Sequence, residues 1–309
     1  MSRKPRVGIS AGDPSGISVE VTLAALADRR VRRALTPVLF GDASLARRTR
    51  AELRVVSALK ASDRRPGHPT RAGGLAQHAY ITAAVEAAQA GQVDALCTAP
   101  VSKQAISRAG IPFVGHTELL AALFDAEVLM LMAGPRLRVA LATNHLALRE
   151  VPRALSTRKL VAQLKLLSRG VAPLVGRRPR IAVCALNPHA GDGGVMGDEE
   201  PRVIAPAIRA ARRQGVDCHG PFAADGLFAR AADFPWDVAL AMFHDQGLVA
   251  TKTFDFENTV NVTLGLPVPR TSPDHGVAYD IAGRGVANAE PMVQALLLAA
   301  RLGGGRYRR

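Results

Sequence analysis

Residues 181–191 read Ile181-Ala182-Val183-Cys184-Ala185-Leu186-Asn187-Pro188-His189-Ala190-Gly191, and this stretch decides the fold class. The apolar run is too short for a helix and does not alternate. That is the mark of a strand covered on both faces, as strands of parallel sheets are. It stops at a polar turn, and in α/β proteins the turns at the carboxyl ends of strands bind ligands. The same unit recurs. Val7–Ser10 runs into Gly12-Asp13-Pro14-Ser15-Gly16, Val93–Cys97 into Thr98-Ala99-Pro100-Val101-Ser102-Lys103, Arg138–Thr143 into Asn144-His145, and Val238–Phe243 into His244-Asp245-Gln246-Gly247. Pro37–Phe40 reads as a further strand, and helical spacing predicts helices over 19–27, 44–53, 74–90, 157–167, 202–213 and 291–301. Strand, loop and helix in alternation predict an α/β fold with a mainly parallel sheet. Residues 63–74 read as a loop and 303–309 as a frayed tail.

Composition narrows the function classes. A chain of 309 residues with 48% hydrophobic and 21% charged side chains is globular, and its length suggests two domains, which short crossings would join because no low-complexity linker intervenes. The net charge of +14 raises nucleic acid or an anionic membrane as partners. Its make-up argues otherwise. Lysines occur only at Lys4, Lys60, Lys103, Lys159, Lys165 and Lys252, and the arginines are dispersed pairs such as Arg29-Arg30, Arg32-Arg33, Arg47-Arg48 and Arg212-Arg213. Aromatics make up 4%, too few to interleave with the charge as base-stacking proteins require. A solvated basic surface is the expected reading. The apolar run 119–134 is broken by Asp125 and Glu127, short of the ~18 uncharged residues of a spanning helix. Cys97, Cys184 and Cys218 lack metal or redox spacing and read as buried reduced thiols. Gly8, Gly12 and Asp13 interrupt any signal-peptide core. A cytoplasmic protein without nucleic-acid or membrane partners is expected.

Three histidines, His145, His189 and His244, leave three different strands at corresponding ends. A lone histidine there is usually a hydrogen-bonded loop residue, but three together match the ligand set of a catalytic zinc-like ion, which keeps one position open for substrate. His68, His78 and His219 lack such company and read as structural. His116, in Gly115-His116-Thr117-Glu118, and His275, in Asp274-His275-Gly276, read equally as site residues or as turns, and Thr117 equally as an N-cap of a helix over 118–124. There is no Walker A sequence, and Gly191-Asp192-Gly193-Gly194-Val195-Met196-Gly197 fails the dinucleotide fingerprint at Met196. Lys252, Asn261 and Arg270 converging near Thr117 would make an anion site; singly, each reads as surface or turn.

Taken together, Gly12-Asp13-Pro14-x-Gly16-Ile17, Thr98-Ala99-Pro100-Val101-Ser102-Lys103, Gly115-His116-Thr117-Glu118, Asn187-Pro188-His189-Ala190-Gly191, Gly220-Pro221-Phe222-x-Ala224-Asp225, His244-Asp245-Gln246-Gly247 and Asn261-Val262-Thr263-Leu264-Gly265-Leu266-Pro267 resemble the 4-hydroxythreonine-4-phosphate dehydrogenase family of pyridoxal phosphate biosynthesis, from about Val7 to Ala289. The resemblance implies an isocitrate/isopropylmalate dehydrogenase-like fold. Its two α/β/α domains, 1–117 plus 274–309 and 118–273, would have the active site in the cleft between them. It implies a homodimer whose divalent metal (zinc, magnesium or cobalt) is held by His145, His189 and His244 across the interface. Substrate contacts would be His116, Thr117, Lys252, Asn261 and Arg270, with Asp245 and Lys252 as catalytic candidates and Asp225 touching cofactor or substrate. The implied reaction is oxidation of 4-hydroxythreonine 4-phosphate by NAD or NADP, with decarboxylation to 3-amino-2-oxopropyl phosphate. The alternatives are the same reaction on threonate or erythronate 4-phosphate, or an inactive nucleic-acid-binding or scaffold protein. The chain departs from the family pattern at Ser18-Val19-Glu20, where Gly-Pro-Glu is usual, and at Gly226, where the Ala-Asp loop usually continues with threonine.

Overall fold

The computed structural model describes residues 3–305. Its strands are β1 (Arg6–Ser10), β2 (Thr36–Asp42), β3 (Glu52–Ser57), β4 (Ala95–Thr98), β5 (Leu129–Ala133), β6 (Arg138–Leu141), β7 (Ile181–Cys184), β8 (Cys218–Phe222), β9 (Val238–Ala241), β10 (Val260–Leu264) and β11 (Arg270–Pro273). The chain forms two compact units, Met1–Val128 with Val260–Arg309, and Leu129–Thr259.

In the first unit the strands lie in the order β3-β2-β1-β4-β11-β10. All neighbours run parallel except the antiparallel pair β10–β11. Val38, Phe40 and Leu96 meet Ile81, Ala84, Val85 and Ala88 of the helix Arg71–Gln89. The spacing of those helical residues makes one apolar stripe, and each large side chain fully buried there contributes about 1.5–3 kcal/mol. Thr70 caps the helix, its hydroxyl accepting from Gly73 N at 3.1 Å. Gly74 lies where a Cβ would come 2.3 Å from the Ala105 carbonyl oxygen, so only glycine lets the helix Lys103–Arg108 lie against this one.

In the second unit the order is β5-β6-β9-β7-β8. β5–β6 is antiparallel, and the pairs β6–β9, β9–β7 and β7–β8 are parallel. Leu160, Leu164, Leu167, Val171 and Leu174 form the buried stripe of the helix Thr157–Val175, which ends at Gly176 with φ 73° in the left-handed conformation that closes helices.

Several expectations are corrected. The helix expected over 44–53 is absent: a short turn at Ala43–Leu45 continues into a second over residues 46–48, where Arg48 N donates to Leu45 O at 2.9 Å, and after a bend the chain enters β3, where Leu53 pairs in register with Leu39. A helix here would set the like charges of Arg47 and Arg50 beside each other, and the residues that follow, from Glu52, pair with β2 instead. The helix expected over 202–213 opens as a π-turn, Glu200–Ile204, and is α-helical over Ala205–Arg213. Gly73 and Gly74 lie within a helix rather than a loop. Of the expected frayed tail, Gly303 and Gly304 belong to the helix Glu290–Gly304, and residues 306–309 lie outside the described residues. The division between the compact units falls at 128/129 and 259/260; the approximate domain bounds that the resemblance implies, 1–117 plus 274–309 and 118–273, stay an expectation. Leu120 packs into the first unit's core, and β11, held by β4 through Arg270↔Leu96 and Thr271↔Cys97, brings β10 with it. All three cysteines are buried and free. Among the described residues no helix is long and apolar enough to cross a membrane.

Candidate active site

The first unit gathers polar groups around Arg270. This arginine sits on β11 with 1% of its surface exposed. Its Nη1 donates to Thr263 Oγ1 at 3.0 Å, and Nε donates to Thr98 Oγ1 at 3.2 Å, joined by Nη2. Three of the five N–H groups of a guanidinium are used in this way, by hydroxyls that carry no charge. Burial pulls its pKa down to about 10 against the opposing pull of Cys97 and Glu118, a sign of how dearly the cation is desolvated. His116 opens the helix His116–Phe124. Its Nε2 is buried without a hydrogen-bond partner. Burial, followed by the charges of Arg270 and Lys103, holds its pKa well below the usual imidazole value, so the ring is neutral. Thr117 follows in the first helical turn and is not the cap; Gly115 occupies that position. The backbone N–H groups of such a turn have no partners within the helix and, with the dipole, attract anions. Asn261 lies two residues from Thr263 on β10, on the same face of the strand, and its Oδ1 is buried without a partner. Lys103 is the residue that sequence reasoning quoted in a motif but did not assign. Its Nζ would lie 3.6 Å from a Cβ at Gly115. Asp13 is another: wholly buried, it accepts from Tyr279 Oη at 2.6 Å and Ser15 N at 2.8 Å, and burial raises its pKa despite those bonds.

The second unit gathers histidines. β6, β9 and β7 are adjacent and parallel, so the loops carrying His145, His244 and His189 leave three neighbouring carboxyl ends. Side chains stitch these ends together. Thr143 Oγ1 donates to Met242 O at 2.7 Å, and Gln246 spans β9 and β7, accepting from Met242 N at 2.7 Å and donating to Ala185 O at 2.8 Å. The rings of His145 and His244 are 5.6 Å apart. His244 Nδ1 hydrogen-bonds Asp245 Oδ1 at 2.6 Å, which turns Nε2 outward as a lone-pair donor, the arrangement typical of metal-ligating histidine. His189 lies in a loop whose residues 189–193 all have positive φ, His189 at 52°. Three of the five are not glycine, so the loop stores strain, and Glu200 pins it: Oε1 accepts from Leu186 N and Asn187 N, each at 2.8 Å. Among the described residues, no group of three or more His, Cys, Asp or Glu is gathered closely enough to hold an ion; His145 and His244 are together, and His189 is not drawn in with them. Lys252 lies on the helix His244–Asp255, two turns beyond Asp245 and on its face, with Nζ 5.6 Å from the Phe256 ring. Asp225 is exposed in the first turn of the helix Ala224–Phe228. Of the remaining histidines, His275 bonds Gly276 O through Nδ1 at 3.0 Å, as a turn residue would. His219, expected to lack acidic company, has it in Asp217 at 2.7 Å and lies against Trp236.

Comparison with known proteins gives a consistent picture. A family model described as pyridoxal phosphate biosynthetic protein PdxA matches residues 17–299. A 4-hydroxythreonine-4-phosphate dehydrogenase of Geobacter metallireducens is 44% identical, over 97% of this chain and 96% of its own. The crystal structure of 4-hydroxythreonine-4-phosphate dehydrogenase from Klebsiella pneumoniae superposes with a TM-score of 0.83 at 35% identity, covering 97% of this chain and 100% of that one. A β-decarboxylating dehydrogenase from Thermococcus kodakarensis, at 15% identity, TM-score 0.50, and 96% and 81% coverage, shares the fold alone.

Proposed function

Because this chain belongs to the PdxA family of pyridoxal phosphate biosynthetic proteins, we propose that it is an NAD(P)-dependent dehydrogenase that oxidises 4-hydroxythreonine 4-phosphate, which then loses its carboxylate to give 3-amino-2-oxopropyl phosphate. The observation that carries the phosphorylated substrate is Arg270, a buried cation whose hydrogen bonds among the described residues go to the neutral hydroxyls of Thr98 and Thr263. Burying a charge is costly, the pull of Glu118 offsets that only in part, and an arriving phosphate would both balance the charge and take the spare N–H groups. His116, Thr117, Lys252 and Asn261 complete the proposed substrate contacts, with the N–H groups of the first helical turn and Lys103 alongside. The neutral His116 ring can donate or accept without adding a charge.

The donor set of the second unit suits a divalent ion: an imidazole oriented by a carboxylate, with a second imidazole beside it. His145, His189 and His244 are the proposed ligands. When bound, the ion would lower the pKa of the substrate alcohol and polarise the ketone, and the nicotinamide would accept the hydride. Asp245 keeps the proton on His244 Nδ1 and so the lone pair on Nε2. Lys252 Nζ is the group proposed to return a proton to the carbon that loses the carboxylate. Asp225 is proposed to touch cofactor or substrate. We further propose a homodimer in which a second copy completes the three-histidine set. Exposed apolar side chains support this: Leu146 and Leu148 follow His145, Val195 and Met196 follow His189, and Val249 follows His244, an unusual concentration for a free surface. The isocitrate/isopropylmalate dehydrogenase-like arrangement, two α/β/α domains with the active site in the cleft between them, belongs to the same proposal, as does a cytoplasmic location, which three free buried thiols suit.

The test is NADH or NADPH formation with 4-hydroxythreonine 4-phosphate and with threonate and erythronate 4-phosphates, before and after chelation, in the wild type and His189→Ala. The proposal expects turnover with the first substrate, lost on chelation and in the variant. Turnover confined to the threonate or erythronate ester would overturn the substrate, and a fully active variant would overturn the ligand set.

A further inference from the structure

The short, helix-free connection between β2 and β3 leaves a feature that the proposed chemistry does not use. A crossover between parallel strands ordinarily takes a dozen or more residues and a helix that covers the sheet. Here it is residues 43–51, with one short turn at Ala43–Leu45, a second over residues 46–48 and no α-helix. Where a helix would lie there is a groove of about 660 Å³, within the range of small-molecule sites. Its floor is apolar, from Leu23 and Leu26 of the helix Ser18–Ala27 together with Leu35. Its walls carry Arg32, Arg47, Arg48 and Arg50, all exposed, and no carboxylate lines it.

None of these four arginines is among those that face acids at short range, as Arg177 faces Asp237 at 2.8 Å, Arg30 Glu290 at 2.7 Å, Arg202 Asp198 at 2.8 Å and Arg6 Glu52 at 2.7 Å. Four guanidinium groups around one concavity repel one another unless an anion joins them. Arginine rather than lysine suits phosphate, whose oxygens it can bind two at a time. The floor asks for an apolar or flat body attached to that phosphate, and the absence of any aromatic in the lining removes the stacking platform that a nucleic-acid strand needs. The groove includes Pro37 and Ala51, at the amino-terminal ends of β2 and β3, whereas substrate sites of such sheets lie at carboxyl ends. None of Arg270, His116, Thr117 or Asn261 lines it.

We propose that this groove is a second ligand site, separate from substrate and turnover cofactor, for a phosphate or diphosphate ester carried on a flat ring. Such a ligand could be a nucleotide or a phosphorylated pyridine. Calorimetric titration of the full chain with ADP, pyridoxine 5′-phosphate and inorganic phosphate tests it, the non-aldehyde vitamer avoiding imine formation with lysines. One of the two esters should bind at least about tenfold more tightly than inorganic phosphate, and which one identifies the source. Arg47→Gln/Arg50→Gln should weaken that ester about tenfold or more and leave kcat and the KM values for substrate and cofactor unchanged. Binding unaltered in the double variant, no ester better than inorganic phosphate, or displacement of the ester by NAD together with a raised cofactor KM in the variant would each overturn the proposal. The last result would make the groove part of the turnover cofactor's own site. The proposed dehydrogenase activity stands or falls independently, on the turnover of the unmodified chain.

Discussion

Glu200 holds Asn187 with both carboxylate oxygens: Oε1 accepts the Asn187 backbone N–H at 2.8 Å, and Oε2 accepts its side-chain amide at 2.9 Å. The same carboxylate stands 2.8 Å from where a Cβ at Gly191 would be, so it both anchors and packs the loop that presents His189.

Replacing Glu200 by Gln should therefore loosen the loop of left-handed residues, costing about 1–3 kcal/mol for the unsatisfied groups, and should weaken metal binding more than overall folding. Burial pushes the Glu200 carboxyl up, but the backbone N–H and side-chain amide of Asn187, with other backbone donors, outweigh it and hold it below the usual carboxylate range. Its stabilising contribution is complete above the unfolded-state value near pH ~4.3 and is lost as pH falls through the lower folded-state value. Thermal melts of wild type and variant should differ at neutral pH and converge in acid.

His116 supplies a second pH dependence. Its folded-state pKa lies well below the usual imidazole value because of burial and then the charges of Arg270 and Lys103. The unfolded chain therefore binds a proton that the native state refuses. Stability should rise with pH up to about 6.5, the unfolded value, and flatten beyond it. His116→Gln should remove that slope. An unchanged slope in denaturant midpoints between pH 5 and 7, measured to about ±0.3 kcal/mol, would show that this ring titrates normally.

Arg270→Ala should raise the substrate KM, with kcat/KM falling ten- to a hundredfold, about 1.5–3 kcal/mol for a lost charge-assisted contact. Arg270→Lys should recover only a fraction, since an ammonium cannot reach both Thr98 and Thr263 and still face a ligand. Steady-state kinetics decide it: an unaltered KM in the alanine variant places the substrate phosphate elsewhere.

Gly226 stands in the helix Ala224–Phe228, where a Cβ would meet nothing within 4 Å, and it is not among the residues with positive φ. Nothing in its surroundings requires glycine. Gly226→Ala should stabilise the protein by about 0.5–1 kcal/mol through a less flexible unfolded chain, seen as a rise in Tm, and Gly226→Thr should be accommodated without loss of folding. If a threonine hydroxyl contributes to cofactor or substrate contact, the latter variant lowers a KM that the former leaves alone.

What the sequence determined by itself was local. The apolar run 181–186 and its kin located the strands, because a strand covered on both faces must be apolar throughout, and each run ended where polar residues begin, so the loops bearing His145, His189 and His244 were legible at once. The motif resemblance extended that reading to the family. Tertiary structure decided the rest, because pairing partners far apart in the chain cannot be read from either one alone. Only the sheet order makes β6, β9 and β7 neighbours and so aligns three histidine loops. Only the pairing of Leu53 with Leu39 turned an expected helix into a strand and opened the arginine-walled groove beside it. Only the packing of β11 between β4 and β10 buried Arg270 among hydroxyls, changing an arginine that the residues alone left open as surface or anion site into a cation that calls for an anion.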